Sequence, residues 1–123
     1  MDDMTLSEIL SAQRELFELH KDKWLPLTPE HGRSSILFMV EEIGEAVAVL
    51  KKKGDQAIVD DPNVRAAFLE EMSDVMMYFA DTLLRYGVSA EEFARVFRLK
   101  HAKNMGRDYE AEYRDKFAHS EFL

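Results

Sequence analysis

The chain has 123 residues, no cysteine, and 24 acidic against 16 basic side chains, a formal net charge of −8. That length suits one domain with a modest core to which self-association could add much, while the charge argues against nucleic-acid and anionic-membrane surfaces and the missing cysteines exclude disulfide and thiol chemistry. With no basic, apolar leader pattern and no apolar run long enough for a bilayer, the expected location is the cytoplasm.

In chain order, Thr5 and Glu8 are spaced as a capping box, and Leu6, Ile9, Leu10, Gln13, Leu16 and Phe17 carry a helical period, predicting a first helix over about 5–20. Pro26 and Pro29 make Lys21 to His31 a connection, with Thr28 placed to cap a turn beginning at Pro29. It holds Trp24, the only tryptophan, which can be a packing anchor or a base-stacking platform.

A second helix is expected over 34–53, with Ile36, Val40, Ile43, Val47 and Leu50 as its apolar stripe and Gly54 as its stop. Lys51, Lys52 and Lys53 suit the negative end of its dipole; the alternative is attraction of a triphosphate. Gly54 to Asp61 reads as a polar connection. Asp61 and Pro62 then form an N-cap and first turn for a third helix over 62–86, with Phe68, Met72, Val75, Met76, Phe79 and Leu83 as core stripe and Gly87 as stop. Ser89 and Glu92 open a fourth over 89–105, where the Phe93 and Phe97 face runs on into Lys100 and Asn104. Those two either leave the core for solvent or reach an acidic cleft. Residues 108–123 show no clear period and stay unassigned. His20, His31, His101 and His119 lack metal-ligand spacing.

The chemistry is concentrated in two acidic clusters inside apolar helical sequence, Glu41, Glu42 and Glu45, then Glu70, Glu71 and Asp74. Glu41, Glu42 and Glu45 fall opposite the Ile36 stripe, but Phe38 and Val49 bracket them, which a plain solvated face does not require. Glu71, Asp74 and Tyr78 share one side of the third helix. If the two helices pack side by side, Glu42, Glu45, Glu71 and Asp74 converge, and four carboxylates in a partly apolar cleft repel unless protonated or bound to cations. An all-oxygen donor set favours a hard divalent ion, Mg²⁺ or Mn²⁺. The expected fold class is all-α, a four-helix bundle in one domain. Apolar residues on several sides of the middle helices predict a homodimer or homotetramer.

The pattern E-E-x-x-E at Glu41, Glu42 and Glu45, followed by E-x-x-D at Glu71 and Asp74, resembles the signature of the MazG-like all-α nucleoside triphosphate pyrophosphohydrolases. The D-V-M-M-Y stretch after it and K-H-A-K-N at Lys100 to Asn104 extend the resemblance over roughly Ser34 to Arg107. The cysteine-containing C-P-W-D type N-terminus of the long two-domain MazG proteins is absent, so the likeness is to short single-domain members, including the dCTP pyrophosphatase-like branch.

The resemblance implies Mg²⁺ held by Glu42, Glu45, Glu71 and Asp74, with Glu41 binding a further ion or orienting water. It also implies nucleotide contacts from Tyr78, Lys100 and Asn104, with Trp24 as a base-contacting aromatic. The implied reaction takes a nucleoside triphosphate and water to the monophosphate and pyrophosphate. Two other readings compete: a non-catalytic helical interaction protein, which leaves Phe38 and Val49 unexplained, and a phosphoribosyl-ATP pyrophosphohydrolase-like enzyme, which the Lys100 to Asn104 element fits less well. A carboxylate-bridged iron protein would carry E-x-x-H, which does not occur.

Overall fold

A computed structural model describes residues 2–118, and among these the chain is all-α. The helices are α1 Leu6–His20, α2 Gly32–Lys53, α3 Asp55–Asp60, α4 Pro62–Arg85, α5 Ala90–Met105 and α6 Tyr109–Ala118, with a 3-10 turn at Pro29–His31 before α2. The chain divides after Ala90 into two compact units. His119 lies outside the described residues. No described helix is long and apolar enough to cross a membrane.

Local chemistry sets most helix ends. The Thr5 hydroxyl accepts from the Glu8 amide at 3.1 Å while the Glu8 carboxylate accepts from the Thr5 amide at 3.0 Å, a complete capping box opening α1. Asp61 Oδ1 accepts from the amides of Asn63 and Val64 at 2.9 and 3.4 Å, and Pro62 occupies the first turn of α4, where its missing N–H loses nothing. At the far end of α4, Gly87 takes φ +69°, and the Gly87 and Val88 amides donate back to the carbonyls of Leu84 and Leu83 at 3.1 and 2.9 Å. This is a Schellman closure, and the left-handed residue in it is one that glycine adopts without Cβ strain.

Two segments differ from the sequence expectation. The 54–61 connection contains the short helix α3, packed on α4 and closed by Gln56 Nε2 donating to Asp60 Oδ2 at 3.0 Å. The unassigned tail contains α6, whose start is held by Asp108 Oδ1 accepting from the Ala111 amide at 3.0 Å and by an Arg107–Glu112 ion pair at 2.8 Å.

In the first unit α2 packs chiefly on α4, and α1 packs on α4 as well. Leu10, Ala80 and Leu84 form the buried apolar cluster, with Leu6, Ile9, Leu27 and Leu83 against it. The expected core stripe of α2 is not its buried face. Ile36, Val40, Ile43 and Val47 are all exposed, Val40 to 57%, and Met72 and Met76 of α4 are exposed too. The buried positions of α2 are Gly32, Ser35 and Ala46. The helix turns a small and polar line inward because Ser35 finds a buried partner on α4, Asp81, and small side chains let the two backbones approach closely.

Candidate functional site

Ser35, Glu42 and Ala46 are spaced seven and four residues apart, so they fall on one line of α2, and Ser35 fixes that line against α4 through Asp81. On α4, Glu71, Asp74, Tyr78, Asp81 and Arg85 follow at three- and four-residue steps along one facing line. Carboxylates from the two helices therefore meet: one oxygen from each of Glu42, Glu71 and Asp74 lies within 4.8 Å of the others, and all three groups are half-buried. Glu45 lies outside this group and is exposed, as is Glu41.

The electrostatics follow from the crowding. Partial burial, then a hydrogen bond with Glu71, then the charges of Asp74, Glu71 and Glu45 push the Glu42 carboxyl above its ordinary value of 4.5. Burial, followed by the charges of Glu42, Asp74, Asp81 and Glu41, pushes the Tyr78 phenol above 10.0, so its hydroxyl stays protonated across the neutral range. The Tyr78 ring lies 5.6 Å from that of Phe38, tilted by 47°, a favourable aromatic geometry.

A cleft of about 490 Å³ opens beside these residues. Glu42, Asp74 and Tyr78 form its acidic wall; Trp24, Leu25 and Phe38 supply apolar faces; Lys23 and Gln13 also line it. Asp81 and Arg85 line it too, joined by an ion pair of 2.8 Å. Trp24 stands at the cleft with its ring 4.8 Å from that of His20. Chemically, the cleft offers clustered oxygen donors suited to a hard divalent cation, a protonated phenol as donor, and aromatic surface for a planar group.

The remaining expected site residues lie in the second unit. Lys100 is exposed, and Asn104 Oδ1 accepts from Arg107 Nη1 at 3.3 Å. The aromatic row of α5 continues from Phe93 and Phe97 to His101, whose ring is parallel to that of Phe97 within 7° at 6.5 Å. Lys51, Lys52 and Lys53 are exposed at the end of α2 and do not line the cleft. None of His20, His31 and His101 joins a metal-ligand group among the described residues.

The polar set of Ser35, Asp81 and Arg85 is absent from the sequence expectations. Its signal was an acid and an arginine four apart, flanked by Ala80, Leu83 and Leu84 on a helix that buries them. No protein-family model, no curated protein and no solved structure matches this chain.

Proposed function

We propose that the chain is a Mg²⁺-dependent nucleoside triphosphate pyrophosphohydrolase, which consumes one water, cleaves the anhydride between the α- and β-phosphates, and yields the monophosphate and pyrophosphate. The observation that carries this reading is the shared cleft, lined by Glu42, Asp74 and Tyr78 together with the aromatic side chains of Trp24 and Phe38. Its volume falls in the range of small-molecule sites.

In this reading Glu42, Glu71 and Asp74 hold Mg²⁺, with Mn²⁺ as a substitute, and Glu45 supports them. The oxygen-only donor set fits such an ion, whose charge would relieve the crowding of the three carboxylates. The chemistry supplied by a bound ion is neutralisation of phosphate charge and a lowered pKa for bound water. Tyr78 donates its hydroxyl to the polar part of the substrate, Trp24 and Phe38 contact the base, and Glu41 orients water.

The same reading takes the helices as a MazG-like four-helix bundle working in the cytoplasm. It assembles as a homodimer or homotetramer that covers the exposed Ile36, Val40, Ile43 and Val47 stripe. Incubation with a panel of canonical and modified nucleoside triphosphates and Mg²⁺ tests it. Equimolar monophosphate and pyrophosphate are expected from at least one substrate. Release of orthophosphate alone, or no turnover of any, refutes it.

A further inference from the structure

We propose that Arg85 is a positioning residue, whose guanidinium ties the Trp24 segment to α4 and so sets where the indole stands at the cleft. The substrate side of this inference rests on the nucleotide reading above. Ser35, Asp81 and Arg85 are almost wholly buried, Arg85 to 6% exposure. Asp81 Oδ2 accepts from Ser35 Oγ at 2.5 Å and from Arg85 Nε at 2.8 Å, while Arg85 Nη1 reaches across to donate to the Pro26 carbonyl at 2.6 Å.

The segment between α1 and the 3-10 turn is pinned at two places. At its start the Lys23 and Trp24 amides donate to the His20 carbonyl at 2.9 and 3.1 Å. Further on, the Pro26 carbonyl accepts from Arg85 and from the Thr28 amide, the latter at 2.9 Å. Trp24 and Leu25 stand between these pins, and both line the cleft. Of the two, only the second joins the segment to α4, the helix that carries Glu71, Asp74 and Tyr78.

A buried ion pair is an uneconomical way to fill a core, because desolvation consumes most of the attraction and an apolar pair of similar volume serves as well or better. What an apolar pair lacks is direction. The planar guanidinium fork fixes two acceptors at once, here a side chain on its own helix and a backbone carbonyl on the Trp24 segment. Lysine would preserve the charge facing Asp81 without a second donor in fixed register.

Trp24 is the sole tryptophan, so emission excited at the red edge, where tyrosine does not absorb, reads this segment alone. In Arg85→Lys we expect wild-type helix content by circular dichroism, red-shifted emission and increased acrylamide quenching. The KM of the best nucleotide substrate should rise about tenfold, equivalent to about 1.4 kcal/mol, with kcat much less affected. The double variant Asp81→Leu/Arg85→Met, which leaves no buried charge unpaired, should fold and show the same loosened indole.

Wild-type emission and quenching in both variants would overturn the proposal, as would failure of both to fold, since either result assigns the three side chains to the core alone. A loosened indole with unchanged KM overturns the positioning role while leaving the pyrophosphohydrolase reading intact. Absence of nucleotide turnover in the wild type overturns that reading instead, and the tether is then decided by quenching.

Discussion

Glu42 on α2 and Glu71 on α4 bring carboxylate oxygens within 4.8 Å of each other, and partial burial, then the hydrogen bond with Glu71, hold Glu42 above the ordinary 4.5. A group whose folded pKa is raised binds its proton more tightly in the folded state than in the unfolded one. Its contribution to stability is therefore fully present below about 4.5 and is lost as pH rises through the raised value. In chelator, the wild type should gain stability from this group as pH falls from neutral toward the carboxylate range. Glu42→Gln should lack that increment and match or exceed the wild type near neutral pH. Thermal unfolding of both proteins across that range is the measurement, and parallel pH profiles would count against the crowding.

If Glu42, Glu71 and Asp74 hold the proposed metal, their grouping without Glu45 ranks the acids by their worth to it. An ion at a hundred times its dissociation constant stabilises the folded state by about 2.7 kcal/mol. Glu71→Gln should lose most of the Mg²⁺-induced rise in melting temperature, and Glu45→Gln should lose less. Equal losses, or a wild-type rise in both variants, would contradict the ranking.

Among the described residues Asp81 is the carboxylate bonded to Arg85, in a site where both are buried. Asp81→Ala leaves a buried guanidinium uncompensated and also deprives Ser35 Oγ of its acceptor, so it should cost about 3–5 kcal/mol. Urea titration reads the loss directly. A change below about 1 kcal/mol would mean that water replaces the carboxylate at little expense.

Gly32 begins α2 where a Cβ would overlap the outer end of the Tyr86 ring, while Tyr86 itself is half exposed. Gly32→Ala should therefore destabilise by about 1–3 kcal/mol, less whatever the ring recovers by swinging outward. In a Tyr86→Ala background the loss should shrink by at least about 0.5 kcal/mol. A double-mutant cycle with no coupling would place the strain elsewhere.

The sequence was most legible where a few adjacent residues decide the outcome. Thr5 with Glu8 and Asp61 with Pro62 sit at the starts of α1 and α4, and Gly87 sits just past the end of α4. The tail helix carries almost no apolar stripe, so periodicity gives no sign of it, although Asp108 and the acids after it form a readable N-terminus. The burial of α2 is illegible in the sequence for a deeper reason. Periodicity identifies an apolar face but not what that face meets, and the small residues and Ser35 pack inward because of Asp81, a partner 46 positions away. The same arrangement puts Glu42 beside Glu71 and Asp74 while Glu45, one turn on, turns outward. Spacing placed four acids on two helices; only the rotation of α2 about its axis separates the three that meet from the one that does not.

That rotation inverts the usual rules for altering the protein. A designer guided by hydropathy would replace Ser35 with valine to repair an apparent polar defect, and would leave Val40 or Ile43 alone as core. The first change would strip a hydrogen bond from a carboxylate that is almost wholly buried, whereas Val40 and Ile43 are open to solvent and accept a lysine or glutamate within a single chain at little loss. Within the isolated chain, tolerance to mutation along α2 should thus run opposite to its hydrophobicity, with the small hydroxyl position strict, and any strictness at the greasy positions then reports the covering copy of the proposed assembly and not the core.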